Sequence, residues 1–157
     1  MDCTKLLHDT CTTFWVELMI ESFIVCMATA IYFEARSEPL LGQIAVAHVI
    51  MNRVEDENFP NDPCSVVTQS KTYKWNPDVP IRNKCQFSFY CDGKSDIPTD
   101  MQALDLARMV AWGVYNERVS DPTDGSVYYH ADYVAPVWAS KKRYYRQIKT
   151  HIFYKEN

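Results

Sequence analysis

The amino-acid sequence predicts a mainly α-helical, α+β fold with a small β element and long loops. A long apolar pattern with helical spacing lies near the start of the chain, and two later stretches repeat that spacing. One short extended segment follows them. A length of 157 residues and a hydrophobic content of 47% suit one domain with its own core. We therefore expect residues 1–157 to form a single domain, with a leader segment of unclear role at residues 1–12.

The first helix is predicted to begin near Thr12 or Thr13, which are acceptable N-cap residues, and to end before Pro39. At about 100° per residue, its apolar side chains form one stripe, and Glu34 continues this stripe in the last turn. The stripe consists of Val16, Ile20, Phe23, Met27 and Ile31.

Glu34 is the candidate catalytic residue because of this position. A carboxyl on the core-facing side of a helix is desolvated, and a helix C-terminus disfavours negative charge. Both effects keep the carboxyl protonated, as a general acid requires. The alternative is an ordinary surface carboxylate, or one half of an ion pair with Arg36 or Arg53.

The apolar run over residues 14–33 is also long enough to suggest a membrane span. Glu17 and Glu21 interrupt it, and charges inside a span are costly, so we expect a buried helix and no membrane span. Residues 1–5 lack the basic region and the cleavage site of a signal peptide. If the protein works outside the cytoplasm, we expect another route to deliver it.

The middle of the chain is predicted to hold two more helices separated by loops. The second helix covers residues 40–54, and its apolar stripe is Leu40, Ile44, Ala47, Met51 and Val54. Residues 55–98 contain five prolines and no lasting period, which predicts long loops with short elements. The third helix is predicted from Thr99, with Gln102 completing a capping box, to about Arg118. Its inward residues are Leu104, Ala107, Ala111 and Val114.

The end of the chain is predicted to hold a turn, an extended segment and a last helix. The turn covers residues 121–125, the extended segment residues 126–130, and the helix residues 136–148. A basic cluster in this last region is expected to be the solvated face of the helix. It consists of Lys141, Lys142, Arg143, Arg146 and Lys149.

Composition excludes several classes of function. Only four glycines are present and no phosphate-binding glycine motif occurs, which argues against a nucleotide enzyme. A net charge of −4 argues against a nucleic-acid binder. His8, His48, His130 and His151 show no HExxH spacing, and no Cys/His group has zinc spacing, so we expect no metal and no cofactor. Carboxylate acid–base chemistry is then the best enzyme hypothesis.

The cysteines include one in the first predicted helix and three in the loop region. The six cysteines of the chain are Cys3, Cys11, Cys26, Cys64, Cys85 and Cys91. Cys26 lies inside the apolar helix and is expected to be a buried thiol. Cys64, Cys85 and Cys91 lie in the loop region and could supply one disulfide. The sequence leaves the pairing open, and reduced thiols are the alternative for a cytosolic protein.

Two segments combine aromatic rings with polar groups, as sugar recognition requires. Residues 86–90 read QFSFY and residues 128–130 read YYH. A sugar rests its apolar C–H face on an aromatic ring, and its hydroxyls bond to surrounding amides and hydroxyls. The alternative for Phe87 and Phe89 is a place in the core, where Phe is usually found.

Seven blocks then occur in order along the chain. They are residues 34–39, 42–47, 52–54, 64–67, 85–89, 125–131 with Pro136 and 138–139, and 151–154. Together they resemble the SleB/CwlJ-type cell wall hydrolases, which are spore-cortex-lytic enzymes and their relatives in bacteria and phages. The resemblance covers roughly residues 28–154. The first two blocks are fairly specific in combination and weak alone.

The resemblance implies a lysozyme-like fold and lytic transglycosylase activity on the peptidoglycan bond between N-acetylmuramic acid and N-acetylglucosamine. It also implies that Glu34 is the catalytic acid, the residue that the helix stripe selects. Ser37 stands where the family usually has Gly, and this turn position tolerates either. The substrate-binding candidates from the family motifs and the aromatic segments are Gln86, Phe87, Ser88, Tyr129 and His130.

A single carboxyl suffices for the implied reaction. Protonated Glu34 donates to the glycosidic oxygen, and its carboxylate then takes a proton from the C6 hydroxyl that attacks C1, giving a 1,6-anhydro product. Glu38 is interpreted as structural, bonded to Arg36 or to backbone N–H groups of the second helix. The alternatives are hydrolysis by water as in a lysozyme, an amidase, or a non-catalytic wall-binding or virion structural protein.

The expected partner is a peptidoglycan glycan strand, with no nucleic acid involved, and the protein is expected to be a monomer. No leader or wall-binding module is recognisable in the sequence. This favours a phage-type endolysin that a partner holin releases from the host cytoplasm to the cell wall.

Overall fold

The computed structural model describes residues 8–157, with the side chains of Thr13 and of residues 15–157. Residues 1–7 of the predicted leader and the side chains of Cys3 and Cys11 therefore lie outside the described part, whereas residues 8–12 belong to the first helix, which begins earlier than the predicted start near Thr12 or Thr13. The helices are α1 (His8–Ala35), α2 (Leu40–Glu55), α3 (Pro63–Val67) and α4 (Met101–Tyr115). The strands are β1 (Ser70–Tyr73), β2 (Asn76–Cys85), β3 (Tyr128–Ala131), β4 (Arg143–Ile148) and β5 (His151–Lys155). The predicted class, mainly α with a small β part, is confirmed.

Helix α1 divides into an exposed first half and a buried second half. Val16 is 48% exposed, whereas Met27 and Ile31 are fully buried against α4, α2 and α3. The stretch Trp15–Ala35 is long and apolar enough to cross a membrane by length and composition, and 33% of its most apolar window is buried inside the domain. The predicted core stripe is therefore right only for the second half of the helix, which places Glu34 against the core.

Helix α2 buries two faces rather than the single stripe that was predicted. Ala47 and Ile50 pack into the main core with α1 and α4, while Ala45 and Val49 pack against Phe153 of the sheet. Its start differs most from the prediction, because Leu40 is 53% exposed. The sheet on the opposite side of α2 explains the second buried face, since a helix between two layers needs apolar residues on both.

The proline-rich region contains a β-hairpin that the sequence did not reveal. β1 and β2 pair antiparallel, with Ser70 opposite Cys85 and Tyr73 opposite Asn76, and irregular register between them. Pro77 and Pro80 lie within β2. Proline interrupts the alternating pattern by which strands are recognised and is tolerated in edge strands. A short 3-10 helix, Ser88–Cys91, follows the hairpin.

Helix α4 begins later than predicted, at Met101. Its N-cap is Asp100, whose side chain accepts a hydrogen bond from the Ala103 amide at 3.0 Å, so the predicted capping box is wrong. The Thr99 amide instead donates to the hydroxyl of Tyr32 on α1 at 3.2 Å. The predicted inward residues of this helix are all buried.

The predicted last helix is wrong. Residues Val137–Lys141 form a 3-10 turn, and β4 and β5 follow as a hairpin. The three-stranded sheet has the order β3-β5-β4, and β3 confirms the predicted extended segment. Tyr144 and Tyr145 favour a strand. Lys149, in the turn between β4 and β5, has a positive φ of 47°, which a right-handed helix does not allow. The basic cluster therefore lies on the 3-10 turn, the edge strand β4 and this turn rather than on a helix.

Two disulfides cross-link the described residues. Cys26 pairs with Cys64, whose Cα lies 5.2 Å away, so the prediction of a buried thiol at Cys26 is wrong. Helix α3 packs on α1 at this point and brings the two residues together. Cys85 pairs with Cys91, which was one of the predicted alternatives, and this bond closes the loop that carries residues 86–88.

Candidate active site

A cleft of about 920 Å³ lies where the end of α1 meets the β1–β2 hairpin and the sheet. Among the described residues that line it, Glu34 is the only Asp or Glu. Aromatic rings and basic side chains from several elements form much of the remaining wall: Phe33, Tyr128, Tyr129, Tyr133, Trp138, Lys71 and Lys84. The cleft is therefore large enough for sugar rings and carries a single carboxyl.

Glu34 is desolvated in the last turn of α1, as its place on the helix predicts. Burial raises its pKa above the ordinary value of 4.5, and this is the largest influence on the group. Hydrogen bonding by Tyr129 and Ser88 and the positive charge of Arg53 act in the opposite direction. The carboxyl is therefore a weaker acid than a surface Glu and keeps its proton to higher pH.

Tyr129 orients this carboxyl. Its hydroxyl donates to Oε2 of Glu34 at 3.1 Å, although 95 positions separate the two residues. Strand β3 places Tyr129 opposite Phe153 of β5, and its ring lies 5.0 Å from the ring of His151. Burial and the neighbouring Glu34 charge raise the pKa of the Tyr129 hydroxyl well above 10, so it remains a hydrogen-bond donor.

The QFS segment contributes two of its three side chains to the cleft. Gln86 and Ser88 are exposed and line the wall. The backbone N–H of Gln86 donates to the backbone carbonyl of Gln69 at 2.9 Å. Phe87 is 1% exposed and belongs to the core, so it does not lie on the cleft surface as the sequence had suggested. Adjacent residues of an extended chain point in opposite directions, which turns Phe87 inward between the other two.

The imidazole ring of His130 forms part of the cleft wall, and both of its nitrogens lie close to protein oxygen atoms. Its Nδ1 lies 2.8 Å from the Ala131 carbonyl oxygen, and its Nε2 lies 2.9 Å from the Tyr154 hydroxyl. Its ring also stacks on Tyr154 and meets the edge of Trp138. Because both ring nitrogens are occupied by protein groups, the imidazole is fixed in place.

Several lining residues were missed as functional candidates, above all Arg53, Gln69 and His151. Each has a buried polar side-chain atom without a hydrogen-bond partner, and they are the three such residues in the described part of the chain. Unpartnered buried polar atoms are rare in proteins and often mark functional sites. No local pattern marked Gln69, His151 appeared only as part of one family block, and Arg53 appeared only as part of another and as a possible ion-pair partner.

Glu38 lies outside the cleft lining, and its partner differs from the predicted ones. It is 7% exposed and accepts hydrogen bonds from the hydroxyl and the amide of Thr150, in the turn between β4 and β5. Gly42 permits this arrangement, because a Cβ there would lie 2.9 Å from the Glu38 Cβ. Glu38 thus joins the α1–α2 turn to the turn between β4 and β5, which agrees with its interpretation as a structural residue.

The family model described as Cell Wall Hydrolase matches residues 37–154. The chain belongs to this cell wall hydrolase family. Glu34 lies just before the first matched residue, so its role depends on the geometry of the cleft. The family membership agrees with the resemblance that the sequence blocks predicted.

Curated relatives and solved structures agree with this membership. The chain is 31% identical over 135 residues to a spore cortex-lytic enzyme of Bacillus cereus and 30% identical over 128 residues to that of Bacillus subtilis. These alignments cover 84% and 81% of this chain but only 44% and 35% of the relatives, so the chain spans less than half of their length.

Two solved catalytic domains have the same fold. The catalytic domain of the Bacillus cereus SleB protein superposes with a TM-score of 0.62 at 31% identity, over 86% of this chain and 91% of that one. The catalytic domain of the germination-specific lytic transglycosylase SleB of Bacillus anthracis gives 0.60 at 30% identity, over 85% and 93%. The predicted fold is thereby confirmed.

Proposed function

We propose that this protein is a peptidoglycan lytic transglycosylase that cleaves between N-acetylmuramic acid and N-acetylglucosamine with Glu34 as its one acid–base group. The observation that carries the proposal is the single carboxyl in the lining of a sugar-sized cleft. Glycosidases that use water normally place two carboxyls across the scissile bond. One carboxyl suffices when the attacking hydroxyl belongs to the substrate itself.

The reaction proceeds in two proton transfers. Glu34 donates its proton to the glycosidic oxygen while the C1–O bond breaks with oxocarbenium-like character. The resulting carboxylate takes the proton of the C6 hydroxyl on the same muramic acid, and that oxygen bonds to C1. The products are a 1,6-anhydro end and a free hydroxyl on the leaving sugar, so no water is consumed.

The walls of the cleft supply groups suited to a glycan strand. We assign Gln86, Ser88, His130 and the ring of Tyr129 to substrate binding, and Phe87 to the support beneath them, while the Tyr129 hydroxyl bonds to Glu34. Tyr133 is 82% exposed in the cleft wall and offers a ring face on which a sugar can stack. Aromatic stacking with polar contacts at the rim is the usual arrangement for such ligands.

The second candidate is hydrolysis of the same bond, as in a lysozyme. Water would then attack C1 and leave a reducing end that is one water heavier than the anhydro end. The cleft lining holds no second carboxyl to activate that water, which favours transglycosylation. Mass analysis of digested sacculi separates the two outcomes.

The enzyme proposal itself is tested with Glu34→Gln and a matched control, Glu21→Gln, an exposed carboxyl on the same helix. We expect Glu34→Gln to release almost no soluble fragments from purified sacculi while Glu21→Gln releases them at the wild-type rate. Unchanged lysis by Glu34→Gln would contradict the enzyme proposal and favour a non-catalytic wall-binding or virion protein.

The site of action follows from the same proposal. Peptidoglycan lies outside the cytoplasmic membrane, and the two disulfides suit an oxidising compartment. We propose that the protein acts there as a phage-type endolysin delivered by a holin. Lysis from within on expression of the chain, dependent on co-expression of a holin, would support this route.

A further inference from the structure

Arg53 is a buried cation without a carboxylate partner. It lies in the last turn of α2, is 4% exposed, and its Nε donates to the Val127 carbonyl at 2.8 Å. No ion pair within 4.0 Å involves its guanidinium among the described residues, and its Nη1 is buried without a hydrogen-bond partner. A buried charge without a partner is strongly destabilising, as is the breaking of a buried ion pair.

The packing around the guanidinium holds it in place without neutralising it. Its Cζ lies 5.1 Å from the ring centre of Phe59 and 5.4 Å from that of Phe87. These cation–π contacts offset part of the desolvation cost. They supply no acceptor for Nη1, so the fold keeps a fixed positive charge at the edge of the cleft.

The groups that can balance this charge are few. Glu34 is the one carboxyl in the cleft lining, and the two residues influence each other electrostatically. A substrate anion would have to reach a side chain that is almost completely buried. Glu34 is therefore the counter-charge that the fold offers, and it becomes negative only after it has given up its proton.

We propose that Arg53 is a positioning residue whose guanidinium balances the Glu34 carboxylate formed when the glycosidic oxygen takes the proton. The inference rests on the proposed function, in which Glu34 is the general acid. Before proton transfer the pair carries one positive charge; after it, the two charges cancel in a site shielded from water. Arg53 thereby keeps the buried Glu34 acidic enough to donate, and its fixed geometry requires no rearrangement during the reaction.

Other groups face Glu34 and must be kept constant in a test. Tyr129 of β3 and Ser88 of the 3-10 helix bond to it, and Tyr128 of β3, Lys71 and Lys84 of the hairpin, and His130 and His151 of the sheet line the same cleft. The two lysines are exposed, so solvent screens their charges far more than that of Arg53.

The direct test is a carbon-13 NMR titration of Glu34 in protein labelled at the Glu carboxyl carbons. The samples are wild type, Arg53→Met, Arg53→Lys, and the control Arg118→Met, which removes an exposed charge outside the cleft lining. Glu34→Gln identifies the resonance. We expect the Glu34 midpoint to move to higher pH in Arg53→Met, to stay near wild type in Arg53→Lys, and to stay unchanged in the control.

The pH profile of sacculus digestion is the second readout. Arg53→Met is expected to lose about 10²-fold in kcat, as for other preorganised electrostatic groups, and its alkaline limb should move to higher pH. Arg53→Lys should recover part of the rate. Because methionine replaces an unpaired buried charge with an apolar chain of similar length, the thermal unfolding temperature should not fall.

The outcomes separate the two proposals. An unmoved Glu34 midpoint in folded Arg53→Met overturns the inference, whatever the activity. A moved midpoint supports the pairing even if wild-type protein releases nothing from sacculi, in which case the proposed function alone fails. If Arg53→Met does not fold, Arg53→Gln takes its place, since it is uncharged and retains a donor for the Val127 carbonyl.

Discussion

Two carboxyl groups four residues apart, Glu34 and Glu38, have opposite surroundings. Glu34 faces a cleft and has Tyr129 as its hydrogen-bond partner, whereas Glu38 is enclosed and bonded twice to Thr150. In the proposed reaction Glu34 donates the proton that its desolvated carboxyl retains, whereas Glu38 joins two parts of the fold. The same residue type thus serves chemistry or stability according to what the surrounding elements place against it.

The largest expected effect comes from removing the proton of Glu34. Glu34→Gln should lower the rate of sacculus digestion by about 10²–10⁴, the usual contribution of a general acid, because the amide cannot donate a proton to the leaving oxygen. Its fold should remain intact. Glu38→Ala should show the reverse behaviour, which sharpens the comparison.

Glu38→Ala is expected to lower the free energy of unfolding by about 2 kcal/mol, because the amide and hydroxyl of Thr150 lose their acceptor. Denaturant unfolding measures this, with the exposed Glu55→Ala as the matched control. The rate per folded molecule should stay near that of wild type. A large loss of rate with unchanged stability would show that Glu38 belongs to the chemistry after all.

Gly42→Ala examines the same structural region through sterics. The added Cβ would lie 2.9 Å from the Glu38 Cβ, which is closer than real contacts allow. We expect a loss of about 1–3 kcal/mol in unfolding free energy, as for other overpacked sites. If Gly42→Ala costs as much in a Glu38→Gly background, which lacks the Glu38 Cβ, as in wild type, the close approach of these two Cβ atoms is not the cause.

Tyr129→Phe tests the orientation of Glu34 with a smaller expected effect. Loss of one hydrogen bond worth about 1 kcal/mol should lower kcat roughly fivefold to tenfold, while KM changes little. Tyr144→Phe, an exposed hydroxyl on β4, is the control. A change in KM alone would indicate that the Tyr129 hydroxyl bonds to the substrate and not to Glu34.

The smallest effect is the contribution of Glu34 to the pH dependence of stability. Its pKa is raised in the fold, so its contribution to stability is fully present below the ordinary value of 4.5 and is lost as pH rises through the folded value. The Glu34→Gln variant has no such contribution to lose. Its free energy of unfolding relative to wild type should therefore increase as the pH rises from 4.5 through the folded pKa. Urea unfolding at several pH values checks this, and a difference that is flat with pH would contradict the raised pKa.

The sequence predicted those parts of the molecule that depend on local pattern. Glu34 follows from helical spacing over one helix, and the inward face of α4 follows from the same rule. The final hairpin was missed because its aromatic and basic residues also fit a helix. The helix over residues 136–148 was predicted from local residue spacing alone.

The remaining features depend on contacts between distant parts of the chain. The bond between Tyr129 and Glu34, the pairing of Cys26 with Cys64, and the burial of Arg53 all arise when separate elements pack together. No periodicity within one segment records such contacts. The family resemblance supplied Tyr129 as a cleft residue but did not reveal its bond to Glu34 or the exposed first half of α1.

The account is tested most directly by digesting purified sacculi in water enriched in oxygen-18 and measuring the masses of the released fragments. If the Glu34 carboxylate regains its proton from the C6 hydroxyl as that oxygen bonds to C1, the new ends are 1,6-anhydro sugars that contain no heavy oxygen. Reducing ends carrying oxygen-18 would show that water attacks C1 and would contradict the proposed reaction.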